Sequence, residues 1–86
     1  MNVQMDAHEE ALVRGLGRRV ENLRKRRRLS ANVLAARAGI HRNTLYRLEA
    51  GEGRMLVVVV ARIAKALGVT IADLMQFSPS MVDSKK

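Results

Sequence analysis

Arginine dominates the chemistry open to this chain. Twelve of its sixteen basic residues are Arg, and the planar guanidinium fork matches phosphate oxygens or the guanine edge two donors at a time. The cations are also concentrated. Eleven fall between Arg14 and Arg47: Arg14, Arg18, Arg19, Arg24, Lys25, Arg26, Arg27, Arg28, Arg37, Arg42 and Arg47. Only Glu21 opposes them there, and the remainder of the chain is slightly acidic. The net charge is +8 over 86 residues, which points to a polyanion or an acidic surface as partner. A membrane surface would need a broad apolar face opposite the charge, and no segment shows one.

Other chemistries find little support. His8 and His41 are the two histidines, Cys is absent, and the carboxylates do not cluster. That leaves no metal site and no disulfide framework. Ser30 and His41 are both explained as helix caps, with no acidic partner nearby in sequence. The chain is therefore expected to be no enzyme and to carry no cofactor. Its longest apolar stretch, Met55 to Ala61, has seven residues, far short of the roughly 18–20 of a membrane span. The polar, acidic start from Met1 to Glu10 is unlike a signal peptide. A soluble cytoplasmic protein is the expectation.

Short helices must position these arginines. The length suits one small domain, and with an aromatic fraction of only 2% its core must be aliphatic. Asp6 with Glu9 reads as a capping box, followed by Leu12, Leu16, Val20 and Leu23 at helical spacing. Gly15 and Gly17 weaken this first helix by roughly 1 kcal/mol each relative to Ala. It is expected to run through with a soft point or to restart near Leu16, and to end near Arg27. Ser30 caps a helix over 31–38, and Gly39 ends it. A third helix covers 42–50 and stops at Gly51. A fourth runs from Met55 to Leu67, with Val57, Val60, Ile63, Ala64 and Leu67 as its inward stripe, and ends at Gly68. Thr70 caps a last short helix over about 71–76, with Leu74 and Met75 or Phe77 facing in. The expected organisation is an N-terminal extension (1–15, partly helical), an all-α five-helix domain (16–77) and a loose tail (78–86).

The two helices around Gly39 have the spacing of a helix-turn-helix. Leu34, Ile40, Leu45 and Leu48 form the wedge between two steeply crossing helices. Ala35 is small where the second helix approaches, and Gly39 supplies the turn.

Several stretches in this order resemble the phage-repressor and Cro-type helix-turn-helix family, also called the xenobiotic-response-element family. They are Leu23-Arg24-Lys25, Leu29-Ser30, Leu34-Ala35, Ala38-Gly39-Ile40, Leu45 through Gly51, and Ile63 through Val69. The resemblance covers about two-thirds of the chain. It implies a compact phage-repressor-like DNA-binding domain whose third helix enters the major groove. By position, Arg42, Asn43 and Arg47 become the base readers, joined by Tyr46. Arg can fork onto guanine and Asn onto adenine. Thr44 becomes a phosphate contact. The family's Arg and Glu at the positions of Arg24 and Glu49 imply an ion pair that fixes the angle of the recognition helix.

Three positions depart from the family pattern. Ala31 replaces a Gln that touches phosphate, so Ser30, Asn32 or backbone amides must anchor instead. Arg28 stands where Gly is favoured, at a left-handed backbone cost, with a side chain able to reach DNA. His41 replaces a Ser or Thr cap, either as a weaker cap with its ring beside phosphate or as a turn residue exposed to water.

The leading expectation is a transcriptional regulator, acting as a homodimer on a near-palindromic operator. Met55, Leu56, Val58 and Val59, where the family is mostly polar, are expected to form the dimer contact, with Phe77 joining. The alternative is an antitoxin that binds a toxin and represses its own operon. Single-stranded RNA is disfavoured, because one Tyr and one Phe offer little stacking.

Overall fold

The computed structural model describes residues 4–52 and 56–77 of the chain. These form five helices: α1 (Ala7–Arg26), α2 (Ala31–Ala38), α3 (Arg42–Glu49), α4 (Val57–Leu67) and α5 (Ile71–Leu74). There is no strand among the described residues.

Local chemistry sets most helix starts. The Glu9 amide donates to Asp6 Oδ1 at 2.8 Å and the Asp6 amide to Glu9 Oε1 at 2.9 Å, closing the capping box of α1. Ser30 Oγ accepts from the Val33 amide. Thr70 and Asp73 repeat the reciprocal pattern at α5. The exits of α1, α2, α3 and α4 share one hydrogen-bond pattern, a six-to-one bond enclosing a five-to-two bond, and each needs a left-handed residue. Gly39, Gly51 and Gly68 provide it after α2, α3 and α4. After α1 the residue is Arg28, at φ +56°.

α1 is a single helix of 20 residues: it runs through its two glycines and does not restart near Leu16. Both are contact points. A Cβ on Gly17 would run into the Leu48 carbonyl oxygen and lie 2.9 Å from that of Glu49. A Cβ on Gly15 would run into the Phe77 ring. The last turn of α3 and the residue that ends the described chain therefore rest on the bare backbone of α1.

Leu34, Leu45, Ile63 and Leu74 are fully buried, one from each of α2 to α5, and Leu16, Val20 and Leu23 close the core from α1. α2 lies between α3 and α4, while α1 supports α3. Two arginines tie elements to backbone. Arg19 donates from Nε and Nη2 to the Asp73 carbonyl at 3.2 and 3.1 Å. Arg62 donates from Nη1 to the Gly39 carbonyl at 3.2 Å, linking α4 to the turn between α2 and α3.

The start of α4 differs from its expected phase. Val60, Ile63, Ala64 and Leu67 face inward, but Val57 is 75% exposed. Val57 is the first residue of the helix, and helical side chains lean towards the N-terminus, so it projects past the end of the core. Val59, expected to face outward, is half-buried against the core. Leu56 and Val58 are 68% and 62% exposed. Phe77, expected at a dimer contact, packs on the domain's own core over Gly15. Met55 lies outside the described residues. Met75 is exposed, so it is Leu74 and Phe77 that turn inward.

Candidate nucleic-acid interface

α3 begins at His41, whose extended backbone lets its carbonyl accept from the Leu45 amide at 3.2 Å. Its ring makes no capping hydrogen bond. The first-turn amides of α3 thus receive no side-chain cap and point their positive dipole end outward. Leu45 and Leu48 are buried, which fixes the rotation of the helix. Arg42, Asn43, Tyr46 and Arg47 are then left exposed. Their spacing of one, four and five residues puts them on one face, with exposed Thr44 on its flank.

That face is held to the body by a half-buried ion pair. Arg24 donates from Nε to Glu49 Oε2 at 2.8 Å and from Nη2 to Oε1 at 3.0 Å. Its remaining arm, Nη1, donates to the Leu29 carbonyl at 3.0 Å. The two side chains are 11% and 6% exposed. The Glu49 hydrogen bond outweighs burial and raises the Arg24 pKa above its ordinary value. One guanidinium thus joins the end of α3, the body of α1 and the turn into α2. With the α1 backbone pressed against Leu48 and Glu49 at Gly17, this pair sets how α3 stands out from the domain.

The start of α2 lies beside the start of α3. Arg42 Nη1 donates to Asn32 Oδ1 at 3.2 Å. The Asn32 acceptor oxygen holds Arg42, and its amide donors remain available to a phosphate. Ser30 spends its acceptor on the Val33 amide but keeps its hydroxyl proton to donate. Arg47 lies 3.9 Å from Glu52, both well exposed, a pairing too weak to compete with a phosphate or a base. Arg28 is exposed at the α1 exit. Two features are invisible to sequence reasoning: the Asn32 contact with Arg42 and the Arg62 link to the turn. Each joins residues from different segments, and no local pattern announces them.

A five-helix domain that presents one cationic helix face across a tight helical turn is a DNA-reading head in form. The sequence model of the family described as "Helix-turn-helix domain" matches residues 15–77. The chain belongs to that family, and its architecture is that of a Cro/repressor-type DNA-binding regulator. Among solved structures it is similar to the restriction-modification controller protein C.AhdI from Aeromonas hydrophila. That match has 27% identity and a TM-score of 0.70, and covers 72% of this chain and 94% of the other. The clp gene regulator ClgR from Corynebacterium glutamicum matches at 25% identity and a TM-score of 0.70, over 73% of this chain and 67% of that one. An HTH_3 family transcriptional regulator from Vibrio cholerae shares the fold, at 24% identity and a TM-score of 0.75. It aligns with 84% of this chain, which spans 40% of its length. No curated protein sequence gives a significant match.

Proposed function

We propose that the chain is a sequence-specific regulator of transcription that inserts α3 into the major groove of double-stranded DNA. The exposed face of α3 carries this reading, because Arg42, Asn43, Tyr46 and Arg47 share one side of a helix locked by Leu45, Leu48 and Glu49. Arg42 and Arg47 suit guanine and Asn43 suits adenine. Ser30, Thr44 and the uncapped amides after His41 suit phosphates, and Arg28 extends that rim. The likeness to a restriction-modification controller and to a gene regulator supports a role in gene control.

A homodimer completes the reading. Leu56, Val57 and Val58 form an exposed apolar run at the start of α4, and apolar side chains massed on a surface favour association. Two copies joined there would present two α3 helices to half-sites about one DNA turn, roughly 34 Å, apart. Val59 and Phe77 are half-buried on the domain's own core, so the proposed contact is centred on the exposed Leu56, Val57 and Val58.

Selection from random duplexes tests the whole reading. It should enrich a short, near-palindromic motif, and Arg47→Ala should cost on the order of 1–3 kcal/mol on it while relaxing one position of preference. Selection that enriches nothing would overturn sequence-specific recognition. Val57→Glu with Val58→Lys should sediment as a folded monomer and lose the palindrome; an unchanged dimer would sink the α4 contact.

A further inference from the structure

Arg26, Arg27 and Arg28 leave the end of α1 as three consecutive exposed guanidiniums. Among the described residues none of the three has an ion-pair partner, whereas the adjacent Lys25 is held by Glu21 at 3.1 Å. The negative end of the α1 dipole favours cations in its last turn. That accounts for Arg26 but not for Arg28, which lies beyond the helix with φ +56°. Gly occupies the same place in the turns after α2, α3 and α4. A residue held against its backbone preference points to work done by its side chain.

The cluster is continuous with the reading head. Arg28 is two residues from Ser30, the cap of α2. Asn32, in the first turn of α2, binds Arg42, the first residue of α3. A polar and cationic strip therefore runs from the α1 exit across the start of α2 to the start of α3, and all of these residues are exposed.

We propose that Arg26, Arg27 and Arg28 grip DNA phosphates outside the stretch that α3 reads, as a second anchor supplying sequence-independent affinity. This rests on the reading of α3 as a DNA reader, and the charge chemistry names the ligand as duplex backbone. Base readers discriminate between sequences. An anchor of this kind instead raises affinity for every duplex and lets the protein stay on DNA between sites.

The test uses the full chain with Arg26→Gln and Arg27→Gln together, and a short mixed-sequence duplex followed by anisotropy between roughly 50 and 200 mM salt. The double variant should bind about tenfold more weakly per lost contact near 0.1 M salt, with the salt slope reduced by about 0.9 for each phosphate released. Its preference for a selected motif over mixed sequence should be unchanged, and ethylation interference should fade at the outer phosphates only. Arg26→Lys with Arg27→Lys should keep the slope, which separates charge from any loss of fold. An unchanged slope and footprint in the Gln variant would overturn the anchor while leaving the α3 reading intact. Failure of the wild type to bind any duplex would overturn the α3 reading itself. Stronger binding of the cluster to single-stranded RNA than to duplex would also overturn the anchor as stated.

Discussion

Replacing Arg28 with Gly should make the domain more stable and a weaker DNA binder. Arg28 holds φ +56° inside a turn closed by two backbone bonds, from its own amide to the Lys25 carbonyl at 3.0 Å and from the Leu29 amide to the Arg24 carbonyl at 3.1 Å. A residue with a Cβ costs about 1–2 kcal/mol in this region. Gly removes that cost but gives back roughly 0.5–1 kcal/mol through the greater freedom of its unfolded chain. The expected net gain lies between about 0 and 1.5 kcal/mol and centres on about 0.75, and a change of 1 kcal/mol moves the Tm of a domain this size by about 4–8 °C. Arg28→Ala is the needed control, because it removes the same charge and keeps the Cβ. The difference between the two variants therefore isolates the backbone, and thermal melts at matched salt should place Gly above Ala. Both variants should lose about 0.9 from the salt slope of duplex binding. An Ala variant that melts as high as the Gly variant would refute the strain. A full salt slope in both would show that Arg28 holds no phosphate.

Other perturbations separate the remaining contacts. Gly17→Ala should destabilise by about 1–3 kcal/mol, because a Cβ displaces the Leu48 carbonyl and this outweighs a helix-propensity gain of about 1 kcal/mol. Gly15→Ala, which meets only the Phe77 ring, should cost less in the same urea titration. Glu49→Ala should cost about 2–3 kcal/mol by leaving the half-buried Arg24 without its carboxylate; a loss within error in urea melts would show the pair to be dispensable. Asp73 should make stability depend on acid. Hydrogen bonds with the Thr70 backbone and hydroxyl hold its carboxyl below the ordinary Asp range. Its contribution is therefore complete above the unfolded value of about 3.9 and is lost as pH falls through the lowered folded value. The Tm gap between wild type and Asp73→Asn should close in that window, and a gap that widens in acid would reverse the assignment.

The helices were legible because their ends are made locally. Asp6, Ser30 and Thr70 cap through bonds three residues long, and Gly39, Gly51 and Gly68 close exits whose geometry involves only neighbouring residues. The exposed face of α3 was legible too: the family resemblance singled out Arg42, Asn43, Tyr46 and Arg47, and burial of Leu45 and Leu48 turns them outward. The positive φ at Arg28 could be anticipated because the family that the sequence resembles favours Gly at that place.

Tertiary structure decided what depends on which segments meet. Gly15 and Gly17 read as weak points along α1, and only the arrival of Phe77 and of the Leu48 carbonyl makes them necessary. Val57 and Val59 exchanged places relative to the helical wheel, because at the first turn of α4 burial depends on where the neighbouring core stops, not on phase. Asn32 became the holder of Arg42, and Arg62 a strut for the turn at Gly39. Periodicity tells a side chain which way to face. Only the packing of distant segments, driven by burial of the aliphatic core, determines what it finds there.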